Sequence, residues 1–300
     1  MRLCDNKDLF KEIITTVSLD IDILPNYIEK DYYAISILKE LVSKNNKFVF
    51  KGGTSLSVCQ HIINRFSEDV DVSYEDEIIT VGQRKAIKQC FFDSIESMSL
   101  SVNNPENIRS RRVFNRYTCP YLSAFGGNDT VIVEWAVITP SFPIEVKTAQ
   151  TIIGKYLDDN GRHDLVELYG LESFDVKTIT KERTLVDKIF AICDYHISKK
   201  LGRQSRHIYD IHQLLETIKL DNQLIDLFKK VKTYRESLAS CYSAGKDMII
   251  SKLLKELVNN KTYLVDYNER TFPLLYDHVQ YDECVPSILK IASFLEENGL

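Results

Sequence analysis

At 300 residues the chain is long enough for one large domain or two ordinary ones, and for a substantial buried core. Hydrophobic residues at 44% and charged residues at 27% are the proportions of a soluble globular protein. A net charge of -5 argues against bulk nonspecific nucleic-acid binding but leaves room for a local basic groove. The seven cysteines (Cys4, Cys59, Cys90, Cys119, Cys193, Cys241 and Cys284) are scattered, odd in number and include no CxxC pair. They read as reduced, mostly buried thiols rather than a disulfide framework or a zinc site. The first eight residues lack the apolar core of a signal peptide, and no run approaches the ~18 apolar residues of a membrane span. A cytoplasmic location is expected.

Pro25 suits the first turn of a helix, and Tyr32, Ile35, Leu38 and Leu41 then recur at helical spacing, which predicts a helix over 25–43. Phe48-Val49-Phe50 reads as a short buried strand that stops at Gly52-Gly53, with a helix over 55–63 directly after it. Asp69-Val70-Asp71-Val72-Ser73 alternates acid and valine, as a second strand would. A helix is expected over 81–98 and a strand around 112–117. Residues 130–138, dense in Val, Ile and Trp, form the clearest strand in the chain, ended by Pro140 and Pro143. Asp158-Asp159-Asn160-Gly161 marks a turn. Beyond residue 180 the character changes: 181–197, 206–218, 224–238, 248–259 and 287–297 all show helical spacing. The pattern predicts an α/β part over 1–175 and a mainly helical part over 176–300.

Asp69 and Asp71 are two apart on an expected strand, so their side chains share a face. Two carboxylates so close repel unless a cation sits between them, and a hard divalent ion prefers carboxylate oxygen while keeping positions for water and phosphate. The tripeptide alone is common and by itself fits a solvated strand end with two surface acids better. Strand, Gly52-Gly53-Thr54-Ser55, helix is an arrangement that binds phosphate: glycines let the backbone approach, and a helix N-terminus offers free N–H groups. The same residues could instead form an ordinary turn with a Ser/Thr cap, and they do not have the spacing of a P-loop. Glu134 adds a third acid in the middle of the apolar 130–138 strand. Ile132, Ala136 and Ile138 share its face, which favours a functional carboxylate over an exposed edge residue. Two basic stretches, Lys199-Lys200-Arg203-Arg206-His207 and Arg109-Arg111-Arg112-Arg116 interleaved with Phe114 and Tyr117, have the composition of an RNA-holding surface, although such clusters are usually solvated faces.

Several blocks in order resemble the AbiEii/AbiGii toxin family of DNA polymerase β-like nucleotidyltransferases. They are Tyr27-Ile28-Glu29-Lys30-Asp31-Tyr32-Tyr33, Lys51-Gly52-Gly53-Thr54-Ser55-Leu56, Arg65-Phe66-Ser67-Glu68-Asp69-Val70-Asp71, the 181–188 block containing Lys188, and Arg206-His207-Ile208-Tyr209-Asp210-Ile211. The resemblance covers about residues 25–215. It implies an α+β fold with a mixed nucleotidyltransferase sheet, flanking helices and a helical C-terminal region that completes the active-site cleft. It also implies roles: Gly52, Gly53, Thr54 and Ser55 hold nucleotide phosphates, Asp69, Asp71 and Glu134 hold Mg²⁺ or Mn²⁺, and Lys188 and Asp210 act in catalysis, Lys188 also on phosphate. His207 departs from the pattern, standing where many members have Asp. It could meet phosphate when protonated or act as a neutral hydrogen-bonding residue. Asp210 could bind a nucleotide group or hold Arg206 one helical turn earlier.

The expected activity is transfer of a nucleoside monophosphate from an NTP to an acceptor, with RNA, tRNA in particular, ahead of protein. The chain would act as a toxin of a toxin–antitoxin or phage-defence system with a cognate antitoxin as partner. The alternative is a module of the same fold that binds nucleotide or nucleic acid without catalysis. The intact acid pair argues against it.

Overall fold

The computed structural model describes residues 1–67, 69–103 and 114–300. The chain divides into two compact units, one of residues 1–60 and 67–179, the other of 61–66 and 180–300. The fold is α+β: a mixed six-stranded sheet with flanking helices, followed by a helical region.

The first unit starts with α1 (Lys7–Ile21) and α2 (Pro25–Lys44). No α1 was expected from periodicity; Asn6 caps it by accepting from the Leu9 amide at 3.3 Å. In α2, Ile28, Tyr32, Ile35, Leu38 and Leu41 form the buried stripe, and the helix starts at Pro25. Next come β1 (Phe48–Lys51), α3 (Gly52–Val58), β2 (Asp69–Tyr74), α4 (Val81–Ser97), β3 (Phe114–Leu122), β4 (Asn128–Ala136), β5 (Ile144–Ala149), α5 (Ile152–Asp159), α6 (His163–Tyr169) and β6 (Phe174–Ile179). The helix after β1 thus begins at the first glycine, three residues before the expected start, and ends at Val58. The strand expected around 112–117 falls partly on residues outside those described; its described part begins at Phe114 and runs on to Leu122.

Strand order is β3-β4-β2-β1-β6-β5. β1 runs antiparallel to β2 and parallel to β6, β2 runs parallel to β4, and the pairs β3–β4 and β5–β6 are antiparallel. Strand alternation makes the sheet two-faced. Phe48 and Phe50, Val70 and Val72, Val131, Val133 and Trp135, and Tyr117 and Cys119 join one apolar core with residues of α1, α2, α4, α5 and α6. Phe91 of α4 stacks on Tyr117 at 4.9 Å and meets Phe48 edge-on at 5.5 Å. Each such fully buried large side chain contributes roughly 1.5–3 kcal/mol. The residues between them in the strands, Lys51, Asp69, Asp71, Glu134 and Arg116 among them, take the other face.

The charged residues of the Tyr27–Tyr33 block tie α2 to its neighbours. Glu29, 1% exposed, accepts from the Ser123 hydroxyl (2.6 Å) and the Ala124 amide (2.9 Å). Lys30 pairs with Asp129 at 2.8 Å. Asp31 accepts from the Ile152 amide at 2.7 Å, at the first turn of α5.

The second unit contains α7 (Lys181–Ile197), α8 (Arg206–Thr217), α9 (Asn222–Glu236), α10 (Ile250–Asn259), a short α11 (Leu264–Asp266) that leads into tight turns through Leu274, and α12 (Tyr281–Glu297). Expected and observed helices agree closely except at α12. That helix begins six residues before the expected start, because Gln280 and Glu283 form its first turn, with the Gln280 amide donating to Glu283 at 2.7 Å, and Pro286 is accommodated inside it. All seven cysteines are free thiols, five of them buried. Among the described residues no helix is long and apolar enough to cross a membrane.

Burial raises the Asp31 carboxyl to about 7, only partly offset by the Ile152 amide. A carboxyl raised on folding contributes most below its unfolded value, near 4, and loses that contribution as pH climbs through about 7. Asp31→Asn keeps an oxygen for Ile152 and carries no charge. It is therefore expected to melt above the parent at pH 8 and to lose that advantage at pH 5, measured by differential scanning fluorimetry at both values.

Candidate active site

The glycine turn and the acid pair meet at one contact. Gly52 has a φ of +79°, and a Cβ placed on it would lie 2.1 Å from Oδ2 of Asp71. Two independent constraints therefore require glycine here: the backbone is in the left-handed region, and the space a side chain needs holds a carboxylate. A second link fixes the same geometry. The Thr54 hydroxyl donates to the Asp69 carbonyl and lies 2.9 Å from the Ser67 hydroxyl. The Ser55 hydroxyl turns back to the Gly52 carbonyl at 3.1 Å. Both side chains are buried, and their hydroxyls bond within the turn and to β2.

Across the sheet, four strands each place one charge in a single row. Arg116 of β3 lies opposite Glu134 of β4, Glu134 opposite Asp71 of β2, and Asp71 opposite Lys51 of β1. Residues paired in register project to the same face, so the row reads plus, minus, minus, plus. Asp69, two residues before Asp71, shares that face and pairs with Ile132. Arg116 reaches Glu134 at 2.9 Å, with the two side chains 49% and 20% exposed. Burial first, then the Asp71 charge, push the Glu134 carboxyl up to about 7. Repulsion from Asp71, and to a lesser degree from Asp69, is thus felt at Glu134. Among the described residues, no three metal-ligating side chains come together as a preformed group. The donor chemistry nonetheless fits a hard divalent ion: the acids are all carboxylates on one sheet face, and Asp71 disfavours the charged form of Glu134 beside it.

In the second unit, Asp210 of α8 is fully buried between two cations. Its oxygens accept from Arg65 Nε and Nη2 at 2.7 and 2.9 Å, and Lys188 Nζ of α7 lies 2.6 Å away. Burial alone would raise this carboxyl, but Arg65 and then Lys188 hold it well below the usual carboxylate range. Burial also pulls the Lys188 ammonium down, against Asp210. One anion between two cations leaves a surplus positive charge. The partners of Asp210 are therefore Arg65 and Lys188, rather than Arg206. Arg65 escapes sequence reading because a lone arginine in a loop gives no sign of a partner 145 positions on. His207 is buried, its ring parallel to that of Tyr195 at 6.0 Å, and burial followed by Lys188 and Arg206 holds its pKa well below the ordinary histidine value. Of its two expected roles, the neutral ring is the one this environment supports.

The basic stretches fare unequally. Lys199, Lys200 and Arg203 are exposed, whereas His207 is enclosed. Arg109, Arg111 and Arg112 lie outside the described residues. Tyr117 is completely buried against Phe91, so it is not available to stack on a base.

Two substitutions follow from these contacts. Gly52→Ala forces the Asp71 carboxylate aside, whereas Gly127→Ala, at a similar φ of +83° but with nothing within 4 Å, meets only the backbone cost. Gly127→Ala is expected to lose about 1 kcal/mol in urea unfolding and Gly52→Ala more than that, while only Gly52→Ala abolishes nucleotide transfer. Arg65→Ala leaves Asp210 short of a partner in a dry site and is expected to cost about 3–5 kcal/mol in the same unfolding measurement.

Residues 36–285 match the family described as nucleotidyl transferase AbiEii toxin, type IV TA system. No curated protein sequence matches the chain. The match spans the glycine turn, the acid pair, Glu134, Lys188 and Asp210, and a type IV toxin implies an antitoxin partner. On this match the chain belongs to the AbiEii nucleotidyl transferase toxin family of type IV toxin–antitoxin systems.

Proposed function

We propose that the protein transfers a nucleoside monophosphate from an NTP to an RNA acceptor, with tRNA the first candidate, in a reaction that requires Mg²⁺ or Mn²⁺. The observation that carries this reading is the contact between Gly52 and Asp71. A turn of the kind that takes phosphate is built against one of the carboxylates that would hold the cation.

In this reading the acceptor hydroxyl attacks the α-phosphate, a new O–P bond forms, and the bond to pyrophosphate breaks. Asp69 and Asp71, with Glu134 beside Asp71, are the residues that would hold the divalent ion. Bound there, the ion would supply charge neutralisation at the reacting phosphate. Gly52 and Gly53 contribute backbone N–H groups to the phosphates, and Thr54 and Ser55 keep the turn in shape. Lys188 offers a point charge to phosphate. Its surplus over Asp210 comes from Arg65, which shares that carboxylate. Asp210 acts on Lys188 and Arg65 as a positioning residue. The exposed Lys199, Lys200 and Arg203 give the acceptor backbone a basic surface, which makes its binding salt-dependent.

Asp69→Ala and Asp71→Ala are expected to reduce transfer to background while retaining the helical circular-dichroism signal. The assay incubates the protein with each α-labelled NTP, Mg²⁺ and total RNA, and then identifies the labelled species. Persistent labelling of RNA by the double variant would remove the assignment, and label appearing only in protein would move the acceptor class.

A further inference from the structure

Arg65 and Arg116 each hold a carboxylate, and they do so differently. Arg65 grips Asp210 with two nitrogens, and both side chains are essentially without solvent contact, 1% and 0% exposed. Arg116 meets Glu134 through one nitrogen, and half of its side chain faces solvent. A buried two-point pair is expensive to open, because separation strands a charge; a single-contact, half-exposed pair opens easily. Arg116 therefore has the character of a replaceable partner.

Its place in the row supplies the reason for replacement. Glu134 is next to Asp71, with Asp69 on the same face, so three acids share one face of the sheet. Lys51 and Arg116 stand at the two ends of the Asp71–Glu134 pair and bring two positive charges, the charge of one divalent cation. The Lys51 ammonium reaches over β2 and donates to the Ala136 carbonyl at 3.3 Å, a backbone attachment on the strand that carries Glu134. Among the described residues Arg116 sits on the outermost strand on its side of the sheet, β3, with half of its side chain facing solvent. We propose that Arg116 is the resident counter-ion of Glu134 in the cation-free enzyme, that Glu134 exchanges it for the divalent ion, and that Arg116 thereby sets the affinity of the site. The released guanidinium, still beside the acids, is then placed to meet an incoming phosphate. This rests on the reading of Asp69, Asp71 and Glu134 as the cation-holding residues.

The experiment is Mn²⁺ binding to the full chain without nucleotide, by isothermal titration and by electron paramagnetic resonance of the free ion, with folding verified by circular dichroism in EDTA. Arg116→Gln is expected to bind Mn²⁺ roughly three- to ten-fold more tightly than the parent, since the competing charge is gone. Arg116→Lys, which keeps the charge and loses the planar fork, should fall between them. Glu134→Gln should bind more weakly, and adding Arg116→Gln to it should change nothing further, because the contested carboxylate is absent. Equal or weaker binding by Arg116→Gln, or full tightening in the Glu134→Gln background, overturns the proposal. Undiminished binding by Asp69→Asn/Asp71→Asn, or none by the parent, instead overturns the cation reading beneath it.

Discussion

A missing side chain at position 52 is the constraint around which the first unit's site is arranged. Gly52 must take a left-handed backbone for β1 to turn directly into α3, and its bare Cα leaves room for the Asp71 carboxylate. β2 then has to run antiparallel to β1, with Asp71 opposite Lys51, for that carboxylate to arrive there. The register follows, and with it the neighbour on the far side, Glu134 on β4. The apolar half of the same alternation, Val70 and Val72 with Val131, Val133 and Trp135, fixes which face is which, since a one-residue slip would bury the acids and expose the valines. Core and site are thus two readings of one strand pattern.

The two ionic clusters answer different demands. In the Arg65–Asp210–Lys188 group every charge is shielded from water, and each needs the others to be tolerated there. Such a group gives rigidity and a defined position for Lys188. The row on the sheet is more open and holds like charges side by side, an arrangement that favours exchange of partners over permanence. A binding site built from acids benefits from the second character, whereas a residue that must present one ammonium in one place benefits from the first.

Much of this was legible in the sequence, for physical reasons. Alternation exposed β2 and β4, helical spacing exposed α2 and α7 to α10, and the order of the blocks pointed to the family. Two features escaped: α1, although Phe10, Ile13, Ile14 and Val17 have helical spacing, and the pairing of β5 with β6, where Val146 is exposed on an edge strand and neither strand shows a clean alternation. Partner choice escaped too. Neither the Arg65–Asp210 pair nor the Arg116–Glu134 register can be read from spacing along the chain, because both depend on which elements become neighbours. The hydroxyls of Thr54 and Ser55 are a further case: residue type shows that they can donate, but not that they bond the Asp69 and Gly52 carbonyls.

Residues 61–66 belong with the helices, yet they lie in the sequence between the glycine turn and the acid pair. Their backbone is held there at Phe66, whose amide donates to the Leu274 carbonyl, and at Asn64, whose carbonyl accepts from Tyr276. Neither unit is therefore a contiguous stretch of sequence. A fragment cut after residue 179 would carry Arg65 away from its carboxylate, and the complementary piece would keep Asp210 and Lys188 without their third member. Trimming at that boundary removes a stretch of chain that the helical unit needs, so that unit is complete only when both parts of its sequence are present.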